Sequence, residues 1–269
     1  TLHDYWTLCP RGQMFRTDGH VCLVLDPDLC GACLAKSFPH VMPSAGALSY
    51  GPFDGLDRDG NPNGEPEGLE ASDSAVAARR TEFAMHCLAG VDLLTTPSAR
   101  TREIFCGVGL APEKITVVEN GIEISEIRHE VNRQRATLPE RVGVRLGIVG
   151  SVLPSKGVLE LALAYAQLRK EGRAGSLTLE VHGNMPPYHG DSTYGERLLE
   201  LASQTPGLEV VGPFGHSGLA AILSRLDGVA APSRWEEVFG LTVREARAAG
   251  LPVLVSDAGG LPGVVGGGA

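Results

Sequence analysis

The 269-residue chain carries 23 Lys and Arg against 32 Asp and Glu, a formal net charge of -9, and is 43% apolar. That is enough apolar material for one large or two ordinary cores; acidity without clustered cations excludes a nucleic-acid surface, and no run of about 18 apolar residues is present to span a membrane. Thr1-Leu-His opens without a charged-then-apolar leader, so a cytoplasmic enzyme is expected. With Gly266-Gly-Gly-Ala269 at the other end, the chain reads as a piece of a longer protein.

Residues 1–33 hold four of the six cysteines, Cys9, Cys22, Cys30 and Cys33, spaced C-x12-C-x7-C-x2-C. A C-x2-C pair turns two sulfurs onto one ion, and four thiolates complete a zinc site or hold an iron-sulfur cluster. Zinc suits the irregular spacing better. Disulfides and four unrelated buried thiols are the competing readings, the first disfavoured by the lack of an export signal. Cys87 and Cys106 fall in apolar helical patterns and are expected in the core. Residues 44–72, rich in Gly, Pro, Asp and Asn, are expected to be a long mobile loop, either an acceptor-side lid or an insertion without a role.

From Asp73 the pattern is regular. Val76, Phe83, Ala84 and Leu88 predict an amphipathic helix. A strand over 91–95, a helix over 98–106 and a strand over 115–118 follow, an alternation that predicts a parallel sheet. Residues 122–141, dense in Glu and Arg, read as a connector between domains at 1–135 and 143–269.

The second domain begins with a strand over 144–150, ending in Gly150-Ser151. A helix carrying Leu159, Ala162 and Tyr165 comes next, then strands at 177–183 and 208–211, a helix over Leu219, Ile222 and Leu226, and a strand from Gly228. A polar loop leads to a helix from about Phe239 or Gly240, with Leu241, Val243, Ala246 and Ala249 at helical spacing and Gly250 and Pro252 as its stop. Pro252–Ser256 is the last strand and Gly259-Gly260 a turn. Ligands of such sheets lie beyond the carboxyl ends of the strands. Lys156, otherwise an ordinary surface lysine, stands at one of those ends.

Glu237 and Glu245 have seven residues between them; on a continuous helix they would stand about 12 Å and ~80° apart. The amides between them favour an anion. A nucleotide sugar, with hydroxyls at both ends and phosphates between, fits that arrangement. Taken alone, the pair reads as a helix-start charge and a solvated one.

Pro-Ser-x-Trp-x-Glu-x-Phe-Gly-Leu over 232–241, the Glu245-Ala pair, Gly-x-Pro-Val over 250–253 and Gly-Gly-Leu-Pro over 259–262 closely resemble the donor-site signature of the family 4 retaining glycosyltransferases of GT-B fold. Asp-x3-Thr-Pro-Ser over 92–98 and Val-Val-x-Asn-Gly-Ile over 117–122 resemble the end of that family's first domain. The resemblance implies an α/β protein of two Rossmann-like parallel-sheet domains, the N-terminal one incomplete. It implies transfer of a sugar from a nucleoside diphosphate to an acceptor hydroxyl, on a saccharide, a lipid-linked glycan or a small molecule, with no divalent metal needed for the donor. An acceptor of the lipid-linked kind would bring peripheral membrane association.

The same resemblance places His3, by itself an ordinary structural histidine, near the transferred sugar, Lys156 on the diphosphate and Glu237 on the sugar hydroxyls. It puts Glu245 on the ribose, with Gly150, Ser151, Phe239, Gly240 and Leu241 along the donor and Val211 and Phe214 against the base. Two departures stand out: the arginine that shares the diphosphate is absent after Gly150, and Gly263 replaces a carboxylate beyond Gly-Gly-Leu. The alternatives are a nucleotide-sugar epimerase or phosphorylase of the same architecture, and a metal-bearing structural or binding module on a degenerate GT-B scaffold.

Overall fold

A computed structural model describes residues 1–42, 44 and 72–266. The loop expected over 44–72 lies, but for its two end residues, outside the described residues. The chain divides into two units, Thr1–Glu119 and Asn120–Ala269.

The first unit is built on two parallel strands, β1 (Leu94–Thr96) and β2 (Ile115–Val117), registered Leu94 to Ile115. Between them runs a helix, Ala99–Gly107, whose start is fixed by the Ser98 hydroxyl accepting from the Thr101 amide at 3.2 Å. Ile104 and Phe105 on this helix are buried, and Phe105 stacks on Tyr5 with ring centroids 6.0 Å apart. Two further helices precede this βαβ unit, α1 (Pro27–Ser37) and α2 (Asp73–Ala89); the Ala99–Gly107 helix is α3. Leu34 of α1, Ala77 of α2 and Met42 form a small core between α1 and α2. Cys87 is exposed and Cys106 half-buried, against the expectation that both are core residues. Cys87 is one residue, and so about 100° of helix, away from Leu88, which takes the inward position.

The second unit carries five parallel strands: β3 (Val144–Val149), β4 (Leu177–His182), β5 (Leu208–Gly212), β6 (Gly228–Ala231) and β7 (Val253–Val255), in the order β5-β4-β3-β6-β7. Ile148 and Val149 on β3 face opposite sides, as successive strand residues must. Ile148 packs with Leu159, Ala162 and Tyr165 of α5 (Val158–Lys170) and Leu198 of α6 (Thr193–Gln204). Val149 packs with Ile222 and Leu223 of α7 (Leu219–Arg225) and Ala246 of α8 (Leu241–Ala248). The sheet is therefore covered on both faces, which its nearly continuous apolar strands require.

The charged stretch 122–141 is not a connector along its whole length. It forms a helix, α4 (Ile124–Arg135), within the second unit, and Val131 on it is completely buried with Leu223 and Ala249. Its arginines do what the sequence pattern hid. Arg128 Nε donates to the Ala248 carbonyl at 3.1 Å, and Arg135 donates to the carbonyls of Leu223, Ser224 and Leu226. These carbonyls lie at or just past the carboxyl ends of α8 and α7, where the helices' own amides run out. The unit boundary thus falls at 119/120, before this helix.

Candidate functional site

The chain runs β3, β4, β5 outward on one side of the sheet, then returns to β6 on the other side of β3. That reversal opens a crevice beyond the carboxyl ends of β3 and β6, where open parallel sheets take ligands. The loop after β3 brings Gly150, Ser151 and Lys156 to it; the loop after β6 brings residues 232–240.

There Lys156 Nζ donates to both carboxylate oxygens of Glu237, at 2.9 and 2.7 Å, although the two residues lie 81 positions apart. Glu237 Oε2 also accepts from Ser233 Oγ at 3.0 Å and Trp235 Nε1 at 2.9 Å. The lysine ammonium stands 5.1 Å from the centre of the Trp235 ring, a cation-π contact. A carboxylate with three donor side chains is held in one orientation while part of its surface stays open: Glu237 is 12% exposed and Lys156 29%.

Glu237 is not on a helix. It lies four residues before α8, so the expected helical offset from Glu245 does not apply. What fixes it is the turn at Gly259, where a Cβ would overlap the backbone N and O of Glu237, and the Gly260 amide, which donates to the Glu237 carbonyl at 2.5 Å. Glu245 sits half-buried on α8.

Both α5 and α8 start on a glycine in the left-handed region, Gly157 at φ +67° and Gly240 at φ +76°, and neither start has a side-chain cap. Ser, Thr, Asn or Asp at that position would have occupied the first-turn amides. With glycine, two helix amino ends carry partial positive charge toward the same strand ends; at α5 the Leu159 amide donates to Tyr194 Oη at 2.8 Å, while no side chain caps the start of α8. Phe239 is buried and Leu241 exposed; Arg244 stacks on the Phe239 ring at 3.9 Å.

The two loops are tied together. The Arg234 amide donates to the Ser155 carbonyl at 2.7 Å, and its guanidinium pairs with Glu160, which also accepts from Tyr194 Oη at 2.7 Å. Burial, reinforced by that carboxylate, pushes the Tyr194 phenol well up. Ser151 Oγ donates to Asn184 Oδ1 at 2.9 Å, joining the loops after β3 and β4. Val211, on edge strand β5, and Phe214 just beyond it are exposed.

Sequence reading reached Lys156 and Glu237 but not their pairing. Ser233 and Trp235 lie inside the motif without an assigned role there, and Gly259 reads from sequence only as a turn. Arg234, Glu160 and Tyr194 carry no local signal, because their link exists only once β3 and β6 are neighbours. Beneath the crevice Glu180 and His182 of β4 are buried, His182 Nε2 donating to Glu180 Oε2 at 2.9 Å. Arg145 and Arg225 reach the same carboxylate at 3.1 and 3.3 Å. The His182 hydrogen bond first, then the two guanidiniums, hold the Glu180 carboxyl below its usual range.

Comparison with known proteins bears on the second unit above all. Residues 143–269 match the model of the glycosyl transferases group 1. This stretch is a group 1 glycosyltransferase domain. The chain is 33% identical over 171 residues to glycogen synthase of Mycobacterium tuberculosis, a stretch covering 63% of this chain and 38% of that enzyme. It is also 33% identical over 164 residues to D-inositol 3-phosphate glycosyltransferase of Salinispora arenicola, covering 56% and 36%. The matched stretch thus spans well under half of either relative. The structure of Anabaena Alr3699/HepE in complex with UDP superposes with a TM-score of 0.58 at 22% identity, over 68% of this chain and 50% of that one. The glycosyltransferase domain and its parallel sheets are those of the GT-B fold.

The remaining candidates lie in the first unit. His3 is exposed and follows Leu2, whose amide donates to the Thr95 carbonyl of β1 at 2.7 Å. Cys9, Cys22, Cys30 and Cys33 are all half-buried, unbridged, and line one small cavity with Arg11, Phe15 and Arg16. Burial pushes the Cys9 thiol up and the Cys30 thiol up to about 11, and the neighbouring thiols add to both. Among the described residues no three His, Cys, Asp or Glu side chains are drawn together tightly enough to hold an ion as they stand. No described helix is long and apolar enough to cross a membrane.

Proposed function

We propose that the protein moves a sugar from a nucleoside diphosphate to an acceptor hydroxyl with retained anomeric configuration. The observation that carries this is the Lys156–Glu237 pair at the reversal of strand order, between two glycine-started helices. The bond from the anomeric carbon to the diphosphate breaks while a bond to the acceptor oxygen forms on the same face, and the acceptor's proton leaves with the diphosphate or to solvent. Negative charge grows on the departing phosphate oxygens. Lys156 and the first-turn amides of α8 oppose that charge from fixed positions, the arrangement that usually contributes most to catalysis.

When a diphosphate takes Lys156, Glu237 remains oriented by Ser233 and Trp235, and its freed oxygen Oε1 accepts from sugar hydroxyls. Glu245 holds the ribose hydroxyls, with Gly150, Ser151, Phe239, Gly240 and Leu241 along the donor and Val211 and Phe214 beside the base. His3 enters this reading only through the family resemblance. A structural relative that binds UDP and UDP-glucose supports a nucleotide-sugar donor. Lysine charge and helix amides serve the diphosphate without a divalent ion.

The test is release of nucleoside diphosphate from a panel of nucleotide sugars, with and without saccharide and lipid-linked acceptors. Release that needs an acceptor and persists in chelator is expected, falling about 100- to 1,000-fold in Glu237→Gln. Release without an acceptor, or unchanged turnover in that variant, overturns the assignment. A donor held at about 100 times its Kd stabilises the fold by about 2.7 kcal/mol, so thermal shift ranks the panel.

A further inference from the structure

The most elaborate local structure outside the donor crevice is the cysteine segment of the first unit, which the transfer reaction leaves unused. Three different devices carry its thiols to one cavity. Cys9 heads a tight turn, its carbonyl accepting from the Gly12 amide at 2.7 Å while its own amide donates to the Tyr5 carbonyl at 2.6 Å. Cys22 ends a hairpin in which Phe15 and Val21 pair antiparallel and the Cys22 amide donates to the Met14 carbonyl at 2.7 Å. Cys30 and Cys33 lie one turn apart on α1, whose start is set by Pro27 and by Asp26 accepting from the amides of Asp28 and Leu29 at 2.9 and 3.0 Å.

We infer that Cys9, Cys22, Cys30 and Cys33 hold one tetrahedral zinc ion that clips the turn and the hairpin to α1. Two loop thiols and two spaced one turn apart on α1 supply four ligands from separate directions. Four free thiols in one cavity, with no disulfide among the described residues, are the donor set zinc selects. The spacing matches neither of the usual iron-sulfur runs, C-x2-C-x2-C-x3-C and C-x4-C-x2-C.

Without metal nothing draws the four sulfurs together. The Cys22 thiol instead donates to the Val24 carbonyl at 3.3 Å. Binding exchanges four S–H bonds for four Zn–S bonds of about 2.3 Å and releases four protons to solvent. The zinc tetrathiolate so formed carries two negative charges. Two guanidiniums line the site: Arg11 is buried against the cavity, donating to the Phe15 carbonyl at 2.9 Å and to Ser37 Oγ, and Arg16 lines it too, paired with Asp18 at 2.6 Å. Arg80 of α2 reaches the carbonyls of Trp6 and Thr7, just ahead of Cys9.

The clip has something to hold. Gly31, between the two helical thiols, lets α1 cross the start of α2 so closely that a Cβ would lie 2.7 Å from the backbone of Asp73 and Ser74. Metal at Cys30 and Cys33 therefore fixes the turn and the hairpin to the α1–α2 pair.

The test is metal analysis of the chain purified anaerobically. About one zinc per chain is expected, and cobalt in its place gives the intense thiolate-to-metal and visible bands of a four-sulfur tetrahedral site. Cys33→Ser and Cys9→Ser are expected to drop bound zinc below about 0.2 per chain, with Cys87→Ser and Cys106→Ser keeping it near one. Should the cavity variants fail to fold, wild-type protein stripped of metal by chelator under reducing conditions is titrated with cobalt and, separately, with zinc; the four-sulfur cobalt spectrum, bleached by zinc, and zinc-dependent recovery of protease resistance in residues 1–42 support the site, and their absence overturns it. A broad iron-sulfur chromophore, disulfides among the four cysteines, or zinc retained by the cavity variants overturns it.

Discussion

In the second unit the loops that carry chemistry hang from five parallel strands covered on both faces, and contacts from distant parts of the chain hold them, Gly259 on Glu237 and Ser155 on Arg234. In the first unit residues 1–42 attach to two three-residue strands and a small core of Leu34, Met42 and Ala77. A large sheet can keep a carboxylate and an ammonium in register across 81 positions. A two-stranded sheet offers few strand neighbours, so the first unit fixes its loops by other means, among them the buried side chains of Tyr5, Leu8, Met14 and Phe15. The difference teaches where positioning comes from in each unit: strand neighbours in one, capping bonds and packing such as that of Tyr5 on Phe105 in the other.

The comparison breaks most sharply at Lys156. If the second unit positions charge by its sheet, Lys156→Ala leaves the fold intact and removes the cation facing the leaving group. Turnover is expected to fall about 100- to 1,000-fold, or roughly 3–4 kcal/mol of barrier. Unfolding by denaturant should change by under about 1 kcal/mol, since the lysine is part-exposed and an exposed pair contributes little. A loss of stability matching the loss of rate would mean that the pair is a brace and not part of the reaction.

Gly259 tests the remote hold. A methyl there overlaps the backbone of Glu237, and the residue sits at φ +61°, so Gly259→Ala is expected to cost about 2–3 kcal/mol and to impair donor binding together with stability. Unperturbed donor affinity in that variant would show that Glu237 finds its place without the turn.

Glu180 sharpens the same contrast through pH. Its carboxyl is held low in the folded protein, so its contribution is present above the ordinary carboxyl range near 4.3 and is lost as pH falls through the depressed folded value. Glu180→Gln is expected to cost about 2 kcal/mol at neutral pH, less than a fully buried pair because Arg145 and Arg225 stay partly hydrated. The variant should also flatten the acid side of the stability profile, checked by thermal unfolding from pH 3 to 7.

How much of this could be read from the sequence follows from how local each cause is. Strand and helix positions in the second unit were legible because apolar periodicity is local, and the crevice followed from parallel topology. Arg128 and Arg135 were not, because an arginine that closes another helix's carboxyl end looks like any solvated charge until the helices meet. Likewise the Lys156–Glu237 pair depends on β3 and β6 becoming neighbours, a pairing of strands 84 residues apart at their starts that no local window contains.

The smallest effects belong to the first unit, where local bonds do the holding. Ser98 starts α3 through its hydroxyl, which accepts from the Thr101 amide and pairs with the Thr101 hydroxyl at 2.9 Å. Ser98→Ala should therefore cost about 1 kcal/mol, the usual worth of a helix cap. Cys87→Ser, on the exposed face of α2, should stay within about 0.5 kcal/mol. Limited proteolysis resolved by mass spectrometry can assign each change to its unit. If the sheet of the second unit is independent of these caps, Ser98→Ala speeds cleavage within 1–119 and leaves 143–266 as resistant as before. Equal sensitisation of both would mean that the two units unfold as one cooperative body, and the contrast between their modes of positioning would then concern local geometry alone.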